Sequence, residues 1–315
     1  MRLMYSILKG FSNKDLLYIR WLITEILANK LSHNEQSKLF WDNNGYARNL
    51  NTAVVNPSED DLNIYKKYLI DGGGNKKVLL LGSTPLLRNL LNEAGFRNYV
   101  VADFSFTTIE SSLRTLDKLN INVDIDNEIW LKSDWLEMPL EPESFDYIVG
   151  DMVFTQIEPY KQQLFAKKLA SLLKNKGVFI VKMCLCNTNS SDKDPQQIIE
   201  EKLSAKNFEN TARQRLELLY RLRNRLRDKE SQITSVHAIV HELLQYKTTN
   251  NKRLSFIKSM LKMLSKRAEV NLPFITQTKD ELEKNILRFF SLYASASASD
   301  YPSNDFPIYI YVLKK

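Results

Sequence analysis

The residues with the most chemical content stand where short apolar runs give way to polar ones. Val78-Leu79-Leu80-Leu81 passes directly into Gly82-Ser83-Thr84-Pro85. A tight turn of this kind, opening a helix, aims backbone N–H groups and a helix N-terminus at a ligand. It lacks the further glycines of a G-x-G-x-x-G loop, which argues against a nicotinamide or flavin dinucleotide, because only one glycine would let the backbone approach a pyrophosphate. Taken alone, such a turn is more often a plain strand-to-helix connection. About 20 residues further on, Val101-Ala102 ends in Asp103, where an acidic side chain can accept both hydroxyls of a ribose. The combination is more specific than either part and points to a nucleoside.

Other candidates carry weaker signals. His237 and His241 fall four apart, on one helical face, with Glu242 adjacent. The order His-Ala-Ile-Val-His lacks the Glu of H-E-x-x-H and no third ligand is evident, so no metal site is expected. A plain surface or core histidine is the favoured reading of each. The functional alternative is a general base in a substrate pocket. Cys184 and Cys186, the only cysteines, are read as small buried hydrophobes, since no histidine stands near them in sequence to make a nucleophile.

These positions are set out by strand-helix alternation. Short apolar runs at Val78–Leu81 and at residues 99–102, 129–131, 147–149 and 178–183 alternate with helical stretches at 85–94, 107–119 and 159–173. Gly95 closes the first helix and Asn175-Lys176-Gly177 the third. The alternation predicts an α/β protein with an open, mostly parallel sheet, in which ligands bind at the carboxyl ends of the strands. Ahead of it, residues 13–41 read as a helix capped by Asn13, followed by a turn at Asp42-Asn43-Asn44-Gly45. A second helix reads from Pro57 or Ser58 to Leu69, with Ser58 and Asp61 spaced as a capping box, and Asp71-Gly72-Gly73-Gly74-Asn75 marks a boundary. Beyond Cys186 the alternation stops, and the chain from Pro195 to about Arg267 reads as wholly helical. Strand character returns at 292–294 and 307–313, so the last strand is expected to rejoin the sheet across an insertion.

Composition narrows the class. With 315 residues, 43% hydrophobic and 26% charged, the chain has the make-up of one large or two smaller folded domains, and nine Gly with nine Pro exclude collagen-like sequence. Two cysteines cannot form a disulfide framework, which fits a reducing, cytoplasmic setting. No apolar run approaches the ~18 residues of a membrane span, and the run from Leu3 to Leu8 is cut short by Lys9, too brief for a signal peptide. The net charge is +7, and residues 187–300 hold 20 Lys/Arg against 14 Asp/Glu, so nearly all the excess lies there. Arg213, Arg215, Arg221, Arg223, Arg225 and Arg227 interleave with Leu216, Leu219, Leu222 and Leu226 as an amphipathic basic helix. Acidic neighbours favour a solvated face over a phosphate-binding one, and no nucleic-acid recognition signature accompanies it.

A family resemblance emerges from the ordered motifs. Val78-Leu79-Leu80-Leu81-Gly82-Ser83-Thr84-Pro85, Val101-Ala102-Asp103-Phe104-Ser105, and Ser133-Asp134-Trp135-Leu136-Glu137-Met138-Pro139-Leu140 are similar to the first motifs of class I S-adenosylmethionine-dependent methyltransferases. The likeness continues through Ser144-Phe145-Asp146-Tyr147-Ile148-Val149-Gly150-Asp151 and Leu172-Leu173-Lys174-Asn175-Lys176-Gly177-Val178-Phe179-Ile180. It covers residues 76–186 closely, and Ser-Thr-Pro, where the family usually has glycines, resembles a less common subgroup. The resemblance implies S-adenosylmethionine as cofactor, with Gly82, Ser83 and Thr84 beside its methionine part and Asp103 on the ribose. Phe104, followed by Ser105, would lie beside the adenine, Asp134 would accept from the adenine amino group, and Trp135 would form an apolar wall. Asp151 would face the methyl donor, either holding the cofactor or orienting and deprotonating an acceptor.

The expected architecture is a Rossmann-like sheet with helices on both faces. A helical lid would occupy residues 1–74, bearing Phe40, Trp41 and Tyr46, and the cofactor-binding core residues 75–186. A helical cap would follow at 187–276, and a helix with closing strands at 277–315. The expected activity is methyl transfer to an oxygen or nitrogen of a small or medium-sized acceptor. The alternatives are a catalytically inactive scaffold that binds a partner through the basic insertion, or a methyltransferase acting on RNA. Asp151, His237 and His241 are the candidate catalytic groups.

Overall fold

The computed structural model describes residues 30–44, 56–69, 75–186, 193–301 and 305–314. The predicted helix start at Asn13, Gly45, Tyr46 and most of the triple-glycine boundary lie outside the described residues. The described chain opens with α1 (His33–Asn44) and α2 (Glu59–Tyr68). α2 begins with the predicted capping box: Ser58 Oγ accepts the Asp61 N–H at 3.1 Å and Asp61 Oδ2 accepts the Ser58 N–H at 3.0 Å. α1 continues through residues 42–44, where a turn was expected. Its aromatic residues dock onto the rest of the protein, Trp41 Nε1 donating to Gln156 Oε1 at 3.2 Å, and this packing overrides the weak helix propensity of Asp and Asn.

The alternation then runs β1 (Val78–Leu81), α3 (Pro85–Glu93), β2 (Tyr99–Asp103), α4 (Phe106–Lys118), β3 (Glu128–Lys132), β4 (Phe145–Asp151), α5 (Gln162–Leu172) and β5 (Leu173–Lys182). All four residues of β1 are buried because both sheet faces are covered. Leu79 and Leu81 enter one apolar cluster with Ala102, Ile148 and Phe179, while Val78 and Leu80 enter another with Val101, Val149 and Ile180. This is the period-two alternation of a strand, read out against two cores instead of a core and water.

After β5 come α6 (Pro195–Leu203), α7 (Ala212–Arg225), β6 (Ile233–Thr234), α8 (Val236–Gln245), α9 (Asn251–Glu269) and β7 (Phe274–Ile275). The chain closes with α10 (Lys279–Ile286), β8 (Phe290–Ala296) and β9 (Ile308–Leu313). The main sheet has the order β3-β2-β1-β4-β5-β9-β8. β1 to β5 pair in parallel, whereas β9 runs antiparallel to both β5 and β8. The protein is therefore α/β with a mostly parallel seven-stranded sheet. The insertion of β9 departs from the all-parallel order of the dinucleotide-binding fold, but the reversal of strand order between β1 and β4 is kept, and with it the crevice at their carboxyl ends.

Two further expectations need correction. The stretch from Pro195 to Arg267 is not wholly helical: β6 pairs with β7 as a two-residue antiparallel ribbon. β-branched Ile233, Thr234 and Ile275 suit such a pairing, and Thr234 Oγ1 donates to the Arg223 carbonyl at 2.8 Å. The four helices around the ribbon share an apolar cluster of their own, including Leu218, Leu222, Ile239, Phe256 and Met260. The other correction is at Asn175-Lys176-Gly177, which bends the interior of β5 and does not close a helix. Lys176 has φ +70°, and the β4–β5 register shifts between Phe145 and Tyr147.

Candidate functional site

β1 delivers Gly82 into the crevice with φ +79°, a conformation that favours glycine. Its N–H donates to the Ala102 carbonyl at 2.8 Å, and Trp135 Nε1 donates to the same carbonyl at 2.8 Å. A Cβ at Gly82 would lie 3.5 Å from the Trp135 ring. The indole thus lies against the turn, buried and stacked on Phe165 with ring centroids 6.0 Å apart. Thr84 is buried at the start of α3.

Asp103, at the end of β2, is buried with Ser83 and Ser105. Its Oδ2 accepts the Ser83 hydroxyl at 3.3 Å and its Oδ1 accepts the Ser105 N–H at 3.0 Å. Ser105 in turn caps α4, its Oγ accepting the Thr108 N–H at 3.3 Å. Beyond β3, Asp134 Oδ1 accepts the Leu136 N–H at 3.0 Å and Oδ2 accepts Asn34 Nδ2 at 2.5 Å. Phe104, Ser133 and Asp134 form one wall of a cleft of about 410 Å3, and Asn34, Glu35 and Lys38 of α1 form the other. The three consecutive strand ends bring Gly82, Ser83, Asp103, Ser105 and Trp135 together, with Phe104 and Asp134 around the adjoining cleft.

At β4 the chain runs Gly150-Asp151 and then turns at Met152, with φ +53°. A Cβ at Gly150 would meet Val153 Cγ1 at 2.6 Å, so the turn needs glycine there. The Gly150 carbonyl accepts Tyr65 Oη of α2 at 2.7 Å, and Tyr65 Oη accepts the Lys182 N–H at 2.9 Å. Lys182 Nζ forms an ion pair with Asp61 Oδ2 at 2.7 Å, both side chains being wholly shielded from solvent. Tyr301 Oη donates to the same oxygen at 3.1 Å. Burial, then the negative charge of Asp151, pushes the Tyr65 phenol far up; burial, then Asp61 and Asp151, does the same for Tyr301. Both phenols remain protonated donors at neutral pH. The sequence reading missed this network. Its legible signal was Lys182 itself, an ammonium in an apolar strand that requires a partner.

The cap histidines have hydrogen-bond partners within the cap. His237 Nε2 is 3.1 Å from the Ala268 carbonyl and His241 Nε2 is 2.8 Å from Gln245 Nε2 on the same helix. Among the described residues no hydrogen bond joins either to the strand ends. His33, passed over in the sequence, stands at the start of α1. Burial, outweighing nearby Glu158, lowers its pKa, and its Nε2 has no hydrogen-bond partner among the described residues. Cys184 and Cys186 are buried and free, and burial pushes the Cys186 thiol up, away from nucleophilic character. Among the described residues no group of three or more His, Cys, Asp or Glu could hold a metal ion.

No protein-family model matches the chain, and no curated protein matches it in sequence. Among solved structures, it is similar to a Rhodobacter sphaeroides protein described as a Zn-dependent alcohol dehydrogenase, at 13% identity over 89% of this chain and 98% of that one, with a TM-score of 0.53. S-adenosylmethionine-dependent methyltransferases are also among the similar structures. The N-methyltransferase NodS from Bradyrhizobium japonicum, in complex with S-adenosyl-L-homocysteine, is 8% identical over 89% of this chain and 100% of that one, with a TM-score of 0.47. The magnesium protoporphyrin IX methyltransferase ChlM from Synechocystis, with the same bound product, is 11% identical over 93% and 99%, with a TM-score of 0.48. At these identities likeness speaks for fold alone, and no residue's role is carried over.

Proposed function

We propose that this protein is an S-adenosylmethionine-dependent methyltransferase that alkylates an oxygen or nitrogen of a small or medium-sized acceptor. The observation that carries the reading is the convergence of Gly82, Asp103 and Asp134 at three consecutive strand ends, in the order and at the positions the motifs require. The residues fit the cofactor chemically. A left-handed glycine allows close backbone approach, a buried carboxylate with a serine beside it suits a ribose diol, and Asp134 already takes an amide –NH2 donor of the kind an adenine presents. The bound cofactor would supply an electrophilic methyl group on a sulfonium.

The protein's own part is then positioning and exclusion of water. Gly82, Ser83 and Thr84 would border the methionine part, Asp103 and Ser105 the ribose, and Phe104, Asp134 and Trp135 the adenine. Asp151 would hold the cofactor's amino group or orient and deprotonate the acceptor, next to phenols fixed as donors. A second reading, a scaffold that no longer catalyses, has one observation in its favour: both oxygens of Asp103 and of Asp134 already have protein partners. Isothermal titration with S-adenosylmethionine and S-adenosylhomocysteine separates the two. The expected result is saturable binding by the wild type, weakened at least tenfold in Asp103→Asn with the fold intact by circular dichroism. No binding by the wild type would leave the scaffold reading.

A further inference from the structure

The two edges of the main sheet differ in their chemistry. β3, at one edge, carries a charge at each end, Glu128 and Lys132, and charge on an edge strand discourages pairing with another chain. β8, at the other edge, has no charged residue and no proline, and the uncharged run extends over residues 289–299. Ser291, Leu292, Tyr293 and Ser295 are exposed, Tyr293 by 69%. Tyr293 is the extra residue of a bulge, the β8–β9 register shifting between Leu292 and Ala294. β8 pairs with β9 along one side, and among the described residues its backbone makes no hydrogen bond to any other element. Such an edge leaves N–H and C=O groups facing outward, and the group that matches them in spacing is another strand.

The flanks of the run say which strand fits. Arg288 precedes it and Asp300 follows it, both exposed, and neither forms an ion pair among the described residues. Asp300 Oδ2 accepts the Asp60 N–H at 3.3 Å, which leaves its charge in place. When two copies of β8 run antiparallel about a two-fold axis, the Arg288 end of each lies toward the Asp300 end of the other, and no like charges face across the run. A parallel pairing would set Arg288 against Arg288. The run is thus complementary in charge to its own reversed copy. A two-fold pairing also closes on itself, because it uses both uncharged edges at once.

We propose that the protein forms a two-fold homodimer in which β8 of one copy pairs antiparallel with β8 of the other, joining two seven-stranded sheets into one. Tyr293 stands beside the midpoint of the uncharged run, so its two copies come together near the axis. In the sheet order, β4, β5 and β9 stand between β8 and β1, so the pairing leaves the strand ends of β1, β2 and β3 open. The inference goes beyond the methyltransferase reading and does not rest on it.

The test is sedimentation velocity of the full chain over a concentration series from about 1 to 100 μM, since association follows mass action. A shift with concentration to a species of twice the 36.7 kDa chain mass is expected, with nothing larger. Tyr293→Lys and Ser295→Lys should each raise the midpoint concentration of dimerisation about tenfold or more, whereas Leu244→Lys, at an exposed apolar position of α8, should leave it unchanged. Arg288→Asp should weaken the dimer, and Arg288→Asp combined with Asp300→Lys should restore it, because an antiparallel pair sets the two positions toward each other between copies. Circular dichroism checks the fold of every variant. The proposal is overturned if the wild type stays monomeric throughout, or if it grows into open-ended assemblies instead of stopping at two copies. It is equally overturned if folded Tyr293→Lys and Ser295→Lys dimerise as the wild type does, or if the charge reversals fail to weaken the dimer and then restore it.

Discussion

Asn34 and an adenine amino group would present the same donor to the same acceptor. Asn34 Nδ2 reaches Asp134 Oδ2 at 2.5 Å from across the cleft, where an adenine amino group approaching Asp134 would compete with it for space and for that oxygen. A hydrogen bond to a charged group contributes roughly 1.5–3 kcal/mol, part of which the competitor must recover. Asn34→Ala is therefore expected to tighten S-adenosylhomocysteine binding about three- to tenfold in titration calorimetry. Weaker binding would show that Asn34 contributes to the bound state and does not compete with it. Asp103 differs, because its partners Ser83 and Ser105 belong to the turns at the strand ends and hold the carboxylate in place.

At the scale of elements, α2 is fastened to the sheet by a charge that has no access to water. Asp61 closes the capping box of α2 and at the same time pairs with Lys182 at the end of β5. Removing one member of a shielded pair leaves the other uncompensated, a loss of about 3–5 kcal/mol, whereas replacing both is often near neutral. Lys182→Met should lower the unfolding free energy, extrapolated from urea titration, by an amount in that range. Adding Asp61→Asn, which keeps an acceptor for the Ser58 N–H, should recover most of it. Independent, additive effects of the two changes would show that the pair does not act as a unit. Because Tyr65 bridges α2 to the carbonyl of Gly150 and the N–H of Lys182, the single variant should also disturb the β4 turn that carries Asp151.

For the whole molecule the sharpest prediction concerns acid. Burial pushes the Asp146 carboxyl up, but hydrogen bonds from Lys174, the Lys77 N–H and Lys76 outweigh it and leave it lowered. Glu217 and Glu281 are likewise lowered by basic and backbone partners against burial. A carboxylate lowered in the fold contributes stability that is complete above its unfolded value, about 4, and lost as pH falls through the folded value. His33, lowered by burial, favours the neutral form and adds a loss that begins as pH falls below about 6.5. The urea midpoint should therefore be flat near pH 7–8 and fall steadily toward pH 4, with His33→Gln removing the earliest part of the fall. A midpoint unchanged between pH 7 and 5.5 in the wild type would show that His33 carries no linkage. Among the described residues no helix is long and apolar enough to cross a membrane, and part of the solvent-facing charge of the cap is internally paired, as in Lys202–Glu217–Arg213 and Lys193–Glu201–Arg221.

The sheet was legible because its strands are buried on both faces. Runs such as Val78–Leu81 carry their own signal, and Gly82 and Asp103 stand at strand ends that local pattern marks, whereas Asp134 was reached only through the family resemblance. The capping box at Ser58 and Asp61 was legible from local pattern too: it spans one helical turn. What local pattern could not show was pairing at long range. Nothing in the neighbourhood of Lys182 names Asp61 or Tyr301 as its partners, each more than a hundred residues away, and nothing beside His237 shows that its ring would turn to the Ala268 carbonyl. The β6–β7 ribbon has two residues a side, too short for any periodicity to register. Arg223 and Arg267 read as two cations among many on basic helices, and only the packing of α7, α9 and β7 put both guanidinium groups over the Phe274 ring, because contacts between distant elements are properties of the assembled fold and not of local sequence.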